Sequence, residues 1–407
     1  MKKINTILVT IVLWAVMTGC GGGYKQSIDD VITVDVTKNY PTKELILQDF
    51  LDVEYIPLES TNDFVTIANI QAIGKEFIIT RNLFTTDGNI VFFDRTGKGL
   101  RTINRKGPGP EEYLRVGGVV GVLLDEDNNE FYVNDGMQSK IFVYDLFGNF
   151  KRSFPFKEGL VYSHIAIFDH DNLICHHSSL HIVAISVSNR EYEKNAFWII
   201  SKQDGSVTKE IEIPYKERKA FYMVIDQNNG RTLFNNPVRD TQIVPYRKNW
   251  LLVEVSSDTI YRYLPDHSMI PFIVRTPSIQ SMDPEVFLIP SMLTDRYFFM
   301  QSIKKVANIE NREFPRTELM YDTQEKSIFE TVVYNDDFSS KRRVSMRDEY
   351  GVTTLINSEE IVFAEKLEAY QLVEAYKEGK LKGKLKEIAA GLDEEDNAVI
   401  MIVKNKK

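Results

Sequence analysis

The sequence predicts an all-β chain, a six-bladed β-propeller of four-stranded antiparallel blades with two short helices inserted near the C-terminus. Three observations predict it. First, a strand–turn–strand unit recurs: "IVFFDRTGKGLRTI" (90–103), "IFVYDLFGNFKRSF" (141–154) and "FWIISKQDGSVTKEI" (197–211) align on Gly97, Gly148 and Gly205, at spacings of 51 and 57 residues. Second, shorter strand candidates lie between these hairpins, giving strand, polar turn, strand, turn, strand at a period that suits a propeller blade or a solenoid. Third, few helical patterns interrupt the order, which removes α/β folds, and parallel solenoids have shorter repeats, so radially packed blades fit best.

The elements follow in chain order. "MKKINTILVTIVLWAVMTGC" opens with two lysines and an apolar run from Ile7 to Met17, too short for a bilayer span of about 20 residues and suited to a signal peptide over residues 1–19. Met17-Thr18-Gly19-Cys20 resembles a bacterial lipobox, so Cys20 is the expected lipidation site and residues 20–30 an anchor or linker. A single propeller domain is expected over 31–407. "VITVDV" (31–36) and "AVIMIV" (398–403) stand at opposite ends of it and are expected to close the ring in or near one blade, which would remove the open edges.

Between them, "EFIIT" (76–80), "EFYVND" (130–135), "NLICHH" (172–177) and "WLLVEV" (250–255) supply intermediate strands, and "DTIYRYLPDHSMIPFIV" (258–274) and "ELMYDTQEKSIFETVV" (318–333) continue the hairpin series without its glycine. Near the end the period changes from 2 to 3.6: Leu381, Leu385, Ile388 and Leu392 share one face, giving a helical insertion at about 365–391 before a closing strand at 398–403. The lysines at 380, 382, 384 and 386 read as a solvated face rather than a membrane-surface helix.

Composition bounds the partners. The net charge of −9 becomes more negative once Lys2 and Lys3 leave with the leader, which argues against nucleic acid. With Cys20 acylated, Cys175 is alone and no disulfide framework exists, so stability must come from a large core.

The lipobox at Cys20, "LDVEYIPLEST" (51–61), "FFDRTGKGLRTINRKGPGPEEY" (92–113) followed by "EFYVND" and "VYDLFGNF", and "LKEIAAGLDEEDNAVIMIVK" (385–404) together resemble the six-bladed β-propeller lipoproteins of Bacteroidetes, relatives of NHL-repeat propellers. Residues 214–350 match more loosely. The resemblance implies an outer-membrane lipoprotein, on the periplasmic face or the cell surface, with a part in glycan or nutrient acquisition. Some NHL-type propellers are metal-dependent lyases, and a fold shared by binders and enzymes cannot choose between them.

Five of the six histidines, His164, His170, His176, His177 and His181, fall in one region with Cys175. Of these His164, His177 and His181 are weak metal candidates, since adjacent His176 and His177 point to opposite faces of a strand and no H-E-x-x-H spacing occurs. "DEDNNE" (125–130) fails as a calcium loop because Glu130 stands where glycine is needed and Gly136 where a bidentate glutamate is needed.

"INRKGPGPEEYLRVGGVVG" (103–121) lacks a phosphate-loop pattern, and Pro108 and Pro110 remove two backbone donors. It reads as a stiff crossing between blades, in which Arg105, Lys106, Glu111, Glu112 and Tyr113 hold the crossing locally or contact the pore, with Arg105 and Glu111 as the pair in question. Tyr215, Phe221, Tyr222, Trp250, Tyr297 and Phe298 are candidate contacts for a glycan or protein. No catalytic triad can be assembled from spacing. The expected function is therefore a lipid-anchored, non-catalytic binding or scaffolding module of the cell envelope, a monomer without cofactor, tied to the membrane through Cys20 and to an envelope protein or glycan. The alternative is a metal-dependent lyase or hydrolase using His164 to His181.

Overall fold

The computed structural model describes residues 31–82, 87–117, 121–158, 160, 162–177, 195–219, 223–227, 231–235, 242–306, 314–347, 352–353 and 360–406. Six four-stranded antiparallel blades form the propeller. Blade 1 is Asn69–Ile73, Phe77–Arg81, Ile90–Asp94 and Gly99–Ile103; blade 2 is Val122–Asp125, Glu130–Asp135, Lys140–Asp145 and Phe150–Pro155; blade 3 is Tyr162–Ile167, Asn172–His177, Phe197–Ser201 and Val207–Ile211. A hairpin, Met223–Gln227 with Arg231–Asn235, is inserted before blade 4, which is Ile243–Tyr246, Asn249–Leu252, Thr259–Tyr263 and Met269–Thr276. Blade 5 is Val286–Leu293, Tyr297–Lys304, Arg316–Asp322 and Ser327–Asn335, and blade 6 is Val352–Thr353, Ile361–Leu367, Val399–Asn405 and Leu51–Pro57. The first strand of each blade is innermost: those of blades 1 and 2, 2 and 3, and 4 and 5 lie against one another around the axis.

The strands are apolar in continuous runs because each blade is buried on both faces. In blade 1, Ile78, Val91 and Phe93 pack toward blade 6, while Ile79, Ile90 and Phe92 pack toward blade 2. The same division recurs at every interface, so the core is six hydrophobic clusters, each between two successive blades. Each fully buried Phe, Val or Ile contributes roughly 1.5–3 kcal/mol of transfer free energy.

All five hairpins read from the sequence form the outer two strands of blades 1 to 5. Their turns need a residue with positive φ. Gly97 (+89°), Gly148 (+88°) and Gly205 (+74°) supply it in blades 1 to 3, and His267 (+66°) and Lys326 (+51°) in blades 4 and 5. Glycine has a second reason: a Cβ on Gly97 would lie 2.1 Å from the Pro57 carbonyl oxygen, and one on Gly148 2.8 Å from Ile103. Each turn thus presses on the outer strand of the preceding blade. Outer-strand arginines latch the same junctions, Arg101 donating to the Leu146 carbonyl and Arg152 Nε to that of Lys202 at 2.8 Å. Arg152 also forks onto buried Glu130 at 2.7 Å twice. Burial pushes the Glu130 carboxyl up, but hydrogen bonds from Arg152, Lys151 and Tyr132 outweigh it and hold the pKa at about 2.

Ring closure differs from the expectation. The closing strand Val399–Asn405 does lie in the last blade, but its antiparallel partner is Leu51–Pro57, Ile400 facing Ile56 and Val403 facing Val53. Ile32–Asp35, the core of "VITVDV", instead runs parallel to the outer strand of blade 4, Ile32 beside Ile273. Thr42–Ile46 then runs parallel to the outer strand of blade 5, and α1 (Leu47–Phe50) turns the chain into blade 6. The physical reason is continuity: the segment nearest the ring in sequence must fill the last blade's empty position, and the residues before it are left to cover the edges of blades 4 and 5. Lys43 pins this belt through Asp322, which is fully buried and also bonded by Arg296; those hydrogen bonds hold its carboxyl well below the usual range despite burial.

The helical insertion is α2 (Ala369–Lys377) and α3 (Gly383–Ala389), between the second and third strands of blade 6. Residues 365–367, assigned to it from the sequence, belong to the strand Ile361–Leu367. Leu381, Leu385 and Ala389 are buried on the blade 5–blade 6 cluster, and Ile388 and Leu392 pack partly against it. Lys380, Lys382 and Lys384 pair with Glu378, Asp336 and Glu387. Among the described residues no helix is long and apolar enough to cross a membrane.

Candidate functional site

The turns between the first and second strands of blades 1, 2, 4 and 5 converge on one mouth of the central channel. Together with the ends of two blade 6 strands they enclose a cavity of about 810 Å³, within the range of small-molecule sites. Lys75, Asp127, Arg247, Asp295 and Lys406 stand around it with the uncharged side chains of Tyr246, Asn249, Trp250 and Asn405, and Leu124, Ile167, Met292, Leu293, Ile361 and Val362 supply apolar surface.

Most charges of this mouth lie in opposite pairs. Lys75 Nζ lies 2.9 Å from Asp127 and Arg247 3.4 Å from Asp295. The Lys75 hydrogen bond holds the Asp127 carboxyl below its ordinary value. Glu126 accepts from the backbone N–H groups of Lys75, Glu76 and Phe77 at 2.6–3.2 Å. Buried Asp125 receives Lys202 Nζ at 2.7 Å, and the same ammonium donates to the Asp169 and His170 carbonyls at 2.6 and 3.0 Å, tying blade 2 to blade 3. Lys406 donates to the Asp49 carbonyl at 3.1 Å, and Lys248 and Glu360 are not free either. By contrast, the side-chain amides of Asn249 and Asn405 and the hydroxyl of Tyr246 make no hydrogen bond to any described residue.

The crossing between blades 1 and 2 lies away from this cavity. Tyr113 is fully buried, accepts from the Arg105 N–H at 3.1 Å and donates to the Gly88 carbonyl at 2.7 Å. Arg105 does not pair with Glu111: its Nε donates to the Gly148 carbonyl at 2.8 Å, and the Glu111 carbonyl accepts from Tyr144 at 2.8 Å. Glu112 folds back on the Gly109 N–H at 2.9 Å, while Lys106 forms an isolated bridge with Tyr113. Backbone groups, rather than opposite charges, staple the crossing: it turns back on itself, the Glu112 N–H donating to the Gly109 carbonyl at 3.1 Å and the Gly107 N–H to that of Tyr113 at 3.1 Å.

The histidines separate as strand alternation requires. His164 stands opposite His176 across the first two strands of blade 3, on the face toward blade 4. His177 lies on the other face, its ring 5.9 Å from that of Trp198. His164 is 3 % exposed with no hydrogen bond to either ring nitrogen, and burial lowers its pKa to about 4. His181 lies outside the described residues, as do Cys20, Phe221 and Tyr222. Among the described residues no three His, Cys, Asp or Glu side chains converge as a metal site would require. Of the aromatic candidates, Trp250 lines the cavity, Tyr297 and Phe298 are core, and the Tyr215 ring lies 5.9 Å from the Arg218 guanidinium. Tyr246, Asn249 and Asn405 were missed. Tyr246 and Asn249 sit in the turn "YRKNW" (246–250) and Asn405 at the end of the closing strand, on distant blades, so no single stretch signals the three together.

The profile of a family described as a domain of unknown function, DUF4934, matches residues 31–404. No curated protein matches the chain. Among solved structures, a candidate exported protein of Bacteroides fragilis is similar at 16 % identity and a TM-score of 0.59, over 90 % of this chain and 99 % of its own. At that identity the likeness shows the fold alone. A member of the DUF4221 family from Bacteroides vulgatus aligns at 13 % identity and a TM-score of 0.42 over 88 % and 99 % of the two chains. Virginiamycin B lyase of Staphylococcus aureus aligns at 10 % identity and 0.35 over 88 % and 100 %, too distant to carry an argument about activity.

Proposed function

The chain belongs to the DUF4934 family, and on that premise we propose a non-catalytic binding module of the bacterial envelope, held to the outer membrane by lipid on Cys20. Its central cavity takes an envelope partner, protein or glycan, in the service of nutrient or glycan acquisition. One observation carries the reading: a cavity of small-molecule size opens at the channel mouth, lined by apolar and uncharged polar side chains beside charges that lie mostly in opposite pairs. Binding needs only shape, apolar surface and a few uncommitted polar groups. The leader and lipobox support the membrane tether.

The test is retention of native envelope material on immobilised protein, compared with a Leu293→Trp variant that fills the cavity. Loss of the retained partner in the variant alone supports the reading. Equal retention by both proteins overturns the assignment of binding to this cavity.

A further inference from the structure

We infer that the seam between blades 3 and 4 is an acid-opened joint of the ring: a proton taken up by buried His164 parts the two blades there and loosens one wall of the central cavity. The joint is independent of what the cavity holds. Three features of the seam carry it.

The first is the histidine. His164 stands on the innermost strand of blade 3, 3 % exposed, with no hydrogen bond to either ring nitrogen. A neutral imidazole tolerates that position, whereas an imidazolium brings a charge and two N–H donors that nothing there satisfies. His176 lies opposite it across the strand pair, with Phe197 next in line, and the blade 4 side of the seam is filled by Ile243, Leu252 and Tyr263. The other titratable groups are engaged at the margins. Tyr263 meets His267 Nδ1 at 3.0 Å beside Asp266 in the outer turn, and Glu254, where the second strand of blade 4 runs out, accepts from the Ser256 N–H at 3.0 Å. Burial is the one cause of the lowered His164 pKa, so among the described residues no carboxylate compensates a proton on it.

The second is how the seam is held. Polar ties lock the junctions on either side: Lys202 on Asp125 at 2.7 Å and Asn128 on the His170 carbonyl at 2.9 Å join blades 2 and 3, and Arg247 on Asp295 at 3.4 Å joins blades 4 and 5. Blades 3 and 4 meet instead through the apolar cluster that includes Ala166, Ile174 and Ile199, and through Phe168, whose ring lies 5.8 Å from that of Tyr263. Among the described residues their innermost strands lie less closely together than those of the other five junctions, and the connection between them, residues 212–242, is the longest in the ring. An apolar seam spanned by a long connection can part locally while the remaining blades stay folded.

The third is where the seam leads. Ile167, which ends the strand that carries His164, lines the cavity, as do Pro245 and Trp250 of blade 4, and Trp250 packs partly against the cluster that fills the seam. Parting the blades at His164 therefore couples acidity to the shape of the cavity.

The test is hydrogen exchange of the detergent-solubilised full chain at about pH 7.5 and about pH 4.5, corrected for the intrinsic pH dependence of amide exchange. Protection of peptides covering residues 162–177 and 243–252 should fall roughly 50-fold in the wild type, the change required when the open form binds its proton at 6.5 and the closed form at about 4. Peptides from blades 1 and 2 should keep most of their protection. The fall at the seam should disappear in His164→Leu and in His164→Gln, the second of which keeps a polar side chain and preserves the test if the first folds poorly. No fall at the seam, an equal fall in the non-titrating variants, or an equal fall in every blade overturns the proposal. A fall confined to residues 162–177, with 243–252 unchanged, overturns it as well, because a parted seam exposes both of its sides.

Discussion

Replacing His164 with leucine should remove a specific part of this protein's acid sensitivity. The imidazole is 3 % exposed between blades 3 and 4, has no hydrogen-bond partner on either nitrogen, and titrates at about 4 rather than 6.5 because burial disfavours its charge. In that interval the unfolded chain holds a proton at residue 164 and the folded chain does not. Stability is therefore complete above the unfolded value of 6.5 and is lost as pH falls toward the folded value of about 4.

The full displacement is worth roughly 3 kcal/mol, most of it lost by about pH 4.5. Glu130 acts in a different window: its carboxyl is depressed, so its contribution is present above 4.5 and lost only as pH falls toward about 2. Urea unfolding of the wild type and of His164→Leu at about pH 7.5 and about pH 4.5 isolates the histidine. The wild type should lose about 2–3 kcal/mol more than the variant over that interval. Parallel losses, agreeing within about 1 kcal/mol, would refute the argument that an unpartnered, neutral imidazole is held in this interface.

Gly148→Ala should cost about 1–3 kcal/mol, because φ is +88° and the new Cβ would stand 2.8 Å from Ile103, and thermal unfolding reads it directly. Arg152→Met leaves the Glu130 carboxylate without its fork, and a loss of about 3 kcal/mol that shrinks when Glu130→Gln is added is expected in a double-mutant cycle. Deleting residues 31–36 should leave a folded ring, whereas Val53→Pro, which interrupts pairing with Val403, should abolish the cooperative transition in circular dichroism; the opposite pattern would restore the first segment as the closing strand. Cys20→Ala should move the protein from the membrane pellet to the soluble fraction after cell lysis, and retention in the pellet would count against the lipid anchor.

The repeat was legible because it is local. Each outer hairpin carries its own apolar alternation and its own turn chemistry within about 15 residues, and the glycine series stopped at blade 4 only because His267 and Lys326 adopt the same positive φ. Strand alternation likewise placed His176 and His177 on opposite faces. Closure was misread for the complementary reason. "VITVDV" and "LDVEYIP" are equally strand-like, and nothing in either states which edge it will find. Arg105 and Glu111 are near neighbours in sequence, yet the turn between them sends the Arg105 side chain to Gly148 and leaves the Glu111 carbonyl to accept from Tyr144.

What the sequence by itself determined, then, is the unit: a four-stranded blade built from strand–turn–strand hairpins, the glycine turns of its first blades, and its number. Only the tertiary structure decided what lies between units. The pairing of Leu51–Pro57 with Val399–Asn405, the Lys202–Asp125 tie between blades 2 and 3, and the cavity that gathers Asn249, Trp250 and Asn405 all join residues from separate segments or blades. Periodicity is set by neighbours along the chain, whereas a channel mouth is set by the angle at which whole blades close, and no short window of sequence contains that angle.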